Sequence, residues 1–150
     1  MNKLISIYIN NGVSLFEQGE NTVIIPIELS NDIIDILEYL NFFILGGDLY
    51  KKNNNKFEHT YDNWYYEKQD PTIDSRKSIF QTEKYISNYV KDHGEYYYFS
   101  IVLDNEEFNL WLIDLENILQ SALNQASNMR NHVIIKDSDL FLEKGYLFNF

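Results

Sequence analysis

Along the chain, runs in which apolar and polar positions alternate give way to runs in which apolar positions recur every three or four residues, and the changes of period mark out the elements. Lys3 to Ile9 and Thr22 to Leu29 read as strands, with NNG and EQGEN as turn-like connections. Pro26 cannot donate to a ladder, which predicts a sheet-edge position for the second run. Ser30 is placed to cap a short amphipathic helix over Asn31 to Asn41: Asp32 and Asp35 fall in its first turns, and Ile33, Ile34, Leu37 and Leu40 keep helical spacing. A β-hairpin follows. Its arms are Phe42 to Lys52 and Phe57 to Tyr66, and Asn53, Asn54 and Asn55 tolerate the left-handed backbone of the turn. Gly46 and Gly47 interrupt the first arm, as glycines do at a bulge or where another backbone comes close.

Asp74 or Ser75 begins a second helix that runs to about Asp92 and is stopped by Gly94. Ile79, Ile86 and Val90, flanked by Phe80 and Tyr89, form its apolar face, while Arg76, Lys77, Glu83 and Lys84 face water. Glu95 to Leu103 reads as one strand. Phe108, Trp111, Leu112, Leu115, Leu119, Ala122, Leu123 and Ala126 then predict a helix from about Glu106 to Ser127. Phe108, Leu110 and Leu112 also alternate, so a hairpin from Tyr96 to Ile113 is the competing reading. His132 to Lys136 and Leu140 to Phe148 close the chain as strands. The class is α+β, a mostly antiparallel sheet with two or three helices packed on one face.

Composition narrows the function classes. With 150 residues, 45% hydrophobic and 16% aromatic, and no Pro/Gly/Ser-rich linker, one domain over residues 1–150 is expected. No apolar run approaches the roughly 18 residues of a membrane helix, the first residues lack a signal-peptide pattern, and there is no cysteine. These features place the chain in the cytoplasm. The net charge of −11 is uneven: residues 1–50 hold seven acids and one base, and residues 92–129 seven acids and no base. Such a field opposes nucleic acid and anionic lipid and favours a cationic partner.

Candidate chemistry is sparse. His59, His93 and His132 show no metal-ligand spacing, no serine lies in GxSxG, and GGD lacks the spacing of a phosphate loop, so neither metal nor cofactor is expected. Asp48, His59 and Asp62 could converge across the hairpin as an acid/base set. The bland reading gives Asp48 a structural hydrogen bond, Trp64 a place in the core, and some of the neighbouring tyrosines a place on a protein-binding surface.

ILGGDLY (Gly46, Gly47, Asp48, Leu49, Tyr50) and TYDNWYY (Tyr61, Asp62, Asn63, Trp64, Tyr65), preceded by ILEYLN, resemble a family of predicted immunity proteins of bacterial polymorphic toxin systems. The likeness covers roughly residues 30–67. It implies a small cytoplasmic α+β protein, not an enzyme, that binds and neutralises a cognate toxin domain. The residues assigned to partner binding are Asp48, Tyr50, Asp62, Tyr65, Glu67, Glu106 and Glu107, with Gly46, Gly47 and Trp64 as structural. Two other readings stand beside it, a general regulatory or scaffold module and a small enzyme using Asp48, His59 and Asp62.

Overall fold

The computed structural model describes residues 2–67 and 72–129, so the strands expected over His132 to Lys136 and Leu140 to Phe148 lie outside the described residues. Among these residues are four α-helices and six short or medium strands, with antiparallel pairing, and the class is α+β. The described residues divide into two compact units, residues 2–23 with 107–129, and residues 24–67 with 72–106.

The first unit corrects the sequence reading at once. Residues expected as a strand from Lys3 form helix α1 (Asn2–Asn11). Leu4, Ile5, Tyr8 and Ile9 are all buried, and their spacing is that of one helical face. The alternation in LISIYI is real, but burying this face satisfies more of the apolar surface than a strand would. Gly12 closes α1 by donating to the Tyr8 carbonyl, 2.8 Å away, at a point where any Cβ would strike that carbonyl and the Val23 side chain. After the two-residue β1 (Val13–Ser14), a 3-10 turn (Phe16–Gln18) ends at Gly19, whose φ of 85° suits glycine. Helix α4 (Glu106–Met129) replaces the competing hairpin. Within the unit, Tyr8 sets its ring edge-on against Phe108 and Trp111, with centroids 5.7 and 5.8 Å apart.

The second unit is built on a sheet. β2 (Val23–Pro26) is shorter than predicted, because the chain turns into a 3-10 segment (Ile27–Leu29) directly after the proline. Pro26 is the last residue of β2, opposite Tyr98, where a missing N–H costs the ladder little. Helix α2 (Ser30–Tyr39) buries Ile33, Ile34 and Leu37 as expected, but Ser30 is a buried helical residue and the cap position falls on Leu29.

The hairpin forms β3 (Ile44–Asn53) and β4 (Lys56–Tyr65), with Asn54 in the left-handed region at its tip. The single strand expected over Glu95 to Leu103 is split into β5 (Tyr97–Phe99) and β6 (Val102–Leu103), both paired along β3. The break falls where Asp48 and Ser100 clasp each other. Ser100 N donates to the Asp48 carbonyl at 3.0 Å, and Asp48 N donates to Ser100 Oγ at 3.3 Å. In this unit the order is β2-β5-β3-β4, which leaves β4 with β3 as its only paired strand among the described residues. Helix α3 (Ser75–His93) packs on β3, and α2 packs on α3.

Candidate functional site

The ladder between β3 and β4 is regular on either side of one defect. Asp48 pairs with Asn63 and Tyr50 with His59, so Leu49 alone stands opposite Thr60, Tyr61 and Asp62. Two extra residues are therefore extruded from β4. Tyr61, at φ 67°, takes up the distortion. A bulky aromatic residue in that region costs roughly 1–3 kcal/mol and persists only when its neighbours hold it there. Thr60 supplies part of that hold, its Oγ1 donating to the Leu49 carbonyl at 2.9 Å and accepting from Asp62 N at 3.1 Å. Asp62 supplies the rest by accepting from Tyr89 Oη at 3.0 Å.

Tyr89 belongs to a line of polar side chains on the sheet-facing side of α3. Asp74 caps the helix by accepting from Lys77 N at 2.8 Å, which fixes the phase of everything after it. Ser78 Oγ then accepts from Ile44 N at 3.0 Å, and Thr82 Oγ1 accepts from Trp64 Nε1 at 2.9 Å. Residues 78, 82, 85 and 89 lie one turn apart on the same face. They tie α3 to the start of β3, the end of β4 and the bulge in turn. Sequence reasoning assigned this face to Ile79, Ile86 and Val90 and missed its polar members. Phe80, read as a flank of the apolar face, is 63% exposed, while Tyr89 is buried.

The rings and charges around this line form one cluster. Trp64 lies 5.3 Å from Tyr85, and Tyr89 is stacked on His93 at 4.2 Å and meets Tyr97 edge-on at 5.2 Å. Burial pushes Tyr89 up to about 12; Thr60 opposes the shift, while the hydrogen bond to Asp62 and its charge add to it. Tyr85 is also raised, by burial and then by the charges of Asp62 and Asp48. The structure thus brings Asp48 and Asp62 close enough to act on one ring. His59 belongs to a different group, 4.4 Å from the Tyr50 ring and 5.9 Å from the Tyr61 ring. Asp62 takes its proton donor from Tyr89.

The other sequence-assigned residues divide by exposure. Gly46, Gly47 and Trp64 are buried, and a Cβ at Gly46 would strike the Trp64 carbonyl. Tyr50, assigned to partner binding, is 2% exposed, so it supports the hairpin from inside. Asp48 is half-buried with its backbone engaged by Ser100. Asp62 and Glu67 are exposed, as is Tyr65 at 70%. Glu106 and Glu107 are exposed in the first turn of α4, where carboxylates complement the helix dipole. Tyr61, one of the tyrosines beside Trp64 read as candidates for a protein-binding surface but not among the assigned contact residues, is 87% exposed. Nothing in the local run EHTYDNW marks the bulge that presents it, since neither Gly nor Asn occupies the strained position.

Among the described residues no group of three or more His, Cys, Asp or Glu side chains could hold a metal ion, and no helix is long and apolar enough to cross a membrane. What the cluster offers is a rigid, partly acidic and aromatic surface along one strand. Residues 14–103 match the sequence model of the Immunity protein 40 family, and the chain belongs to that family. No curated protein and no solved structure matches it.

Proposed function

We propose that this member of the Immunity protein 40 family neutralises its cognate toxin domain by binding it directly. The match over residues 14–103 carries the reading, because immunity is the property that unites the family. Residues 1–150 are taken as one functional domain, of which the match covers residues 14–103. The toxin partner is cationic: a chain of net charge −11 steers such a partner towards it and repels polyanions. The protein acts by occupying a surface of the toxin rather than by turning over a substrate, in the cytoplasm of the cell that makes both proteins. Asp48, Asp62, Tyr65, Glu67, Glu106 and Glu107 remain the proposed contact residues, and Tyr50 is reassigned to their support.

The test is co-expression of this chain with the C-terminal domain of the large open reading frame beside its gene. Survival of the cells, followed by co-purification of a stable complex, is the expected result. A toxic domain that this chain neither rescues nor binds would overturn the reading for that pair.

A further inference from the structure

The bulge in β4 makes a projection out of what, among the described residues, would otherwise be a plain edge strand. Tyr61 is 87% exposed, yet its backbone is fixed on both sides, by the Thr60 hydroxyl to Leu49 and Asp62 and by the Asp62 carboxylate to Tyr89 on α3. The ring is also braced from one side by His59, nearly parallel at 25° and 5.9 Å away. An exposed aromatic on a backbone held this firmly is presented in one place when a partner closes on it, which is the property of an interface anchor. Strand addition is not what this edge suits, because two extruded residues break the row of backbone groups that an added strand would need.

The run that carries the projection is acidic along its length: between Lys56 and Lys68 the chain holds Glu58, Asp62 and Glu67 and no Lys or Arg. Glu58 is engaged with Lys51 at 3.9 Å, which leaves the acidic character concentrated at the end of β4 that holds Tyr61, Asp62, Tyr65 and Glu67. A tyrosine face beside carboxylates accepts a guanidinium or ammonium group through the ring and the charge together.

We propose that Tyr61 is the anchor of the immunity interface, its ring entering a cleft of the toxin domain lined by Lys or Arg. The inference rests on the direct-binding reading above and names the side chain that delivers it. The partner surface is therefore concave and basic, and Asp62 and Tyr65 close around the same cationic rim.

The test measures binding of the full chain to the C-terminal domain of the adjacent open reading frame, comparing the wild type with Tyr61→Ala, Tyr61→Gly and Tyr61→Phe at two salt concentrations. Tyr61→Ala and Tyr61→Gly should lose about ten-fold or more in affinity with thermal unfolding close to that of the wild type. Tyr61→Phe should retain most of the binding, and wild-type affinity should fall as salt rises. If the wild type binds and protects but both truncations bind within about two-fold of it, the anchor proposal fails while the direct-binding reading stands. If wild-type affinity is indifferent to salt, the basic cleft is wrong. If the ring instead mediates pairing of two copies of this chain, seen as a dimer that Tyr61→Ala abolishes without affecting toxin affinity, the proposal is overturned. A wild type that neither binds nor protects removes the underlying reading itself.

Discussion

The indole of Trp64 lies over Gly47, its register partner across the hairpin, so closely that a single added carbon at Gly47 would strike the ring and the Ser100 carbonyl together. The carbonyl belongs to backbone and cannot swing aside. Gly47→Ala therefore forces β3 away from β5 or the indole out of its site. The expected cost is about 2–4 kcal/mol, read as a lower urea midpoint with an unchanged slope. A midpoint equal to wild type would show that the hairpin tolerates a wider approach than the geometry allows.

Trp64 also depends on Thr82. The indole N–H donates to Thr82 Oγ1 at 2.9 Å in a buried site, and the same hydroxyl is in hydrogen-bond contact with Tyr66. Thr82→Val keeps the shape but leaves the indole donor buried without an acceptor. The loss should be about 1–3 kcal/mol, whereas Thr82→Ser, which keeps the hydroxyl, should recover most of it. Thermal melts of the two variants decide this, and equal melts would mean that the methyl group rather than the hydrogen bond matters at residue 82.

Much of this arrangement was legible in the sequence because it uses local rules. The hairpin follows from its β-branched arms and asparagine tip, α3 from the Asp74 cap and the glycine at position 94, and the close approach at Gly46 and Gly47 from the glycines themselves. The failures are tertiary. The first helix carries strand-like residues, and only the burial of Leu4, Ile5, Tyr8 and Ile9 on one face selects the helix. The glycine strand does carry a register shift, against β6 between Ile44 and Gly46, but nothing local marks the larger defect opposite Leu49, where β4 extrudes residues and Thr60 and Tyr89 hold Tyr61 and Asp62 in place. On α3, Tyr89 reads only as a flank of the apolar face, and Ser78 and Thr82 carry no signal until the donors and acceptors of the sheet are set against them.

At Tyr61 backbone strain and ring function can be separated. Both Tyr61→Ala and Tyr61→Gly remove the ring and its stacking on His59, but only glycine relaxes the φ of 67°. Tyr61→Gly should be more stable than Tyr61→Ala by roughly 0.5–1 kcal/mol, the relief of strain being offset in part by the entropy that glycine gains in the unfolded chain. Chemical denaturation of the pair gives the difference. Equal stabilities, or alanine above glycine, would mean that the left-handed backbone at this position is not strained.

Glu116 provides a prediction in the first unit, away from the hairpin. Its side chain on α4 is buried, with 3% exposure, and desolvation raises its carboxyl from 4.5 to about 7. The folded state thus holds the proton more tightly than the unfolded state does. Stability from this group is complete below the unfolded value near 4.5 and is lost as the pH climbs from there through about 7, after which the fold must carry a buried carboxylate. Glu116→Gln keeps the size and removes the ionisation. At pH 8 it should be more stable than the wild type by on the order of 1–3 kcal/mol, and the gap should close as the pH falls from 7 towards 4.5. Melting both proteins across that range reads the gap directly. A difference that stays constant with pH would assign the effect to packing of the amide and not to the charge.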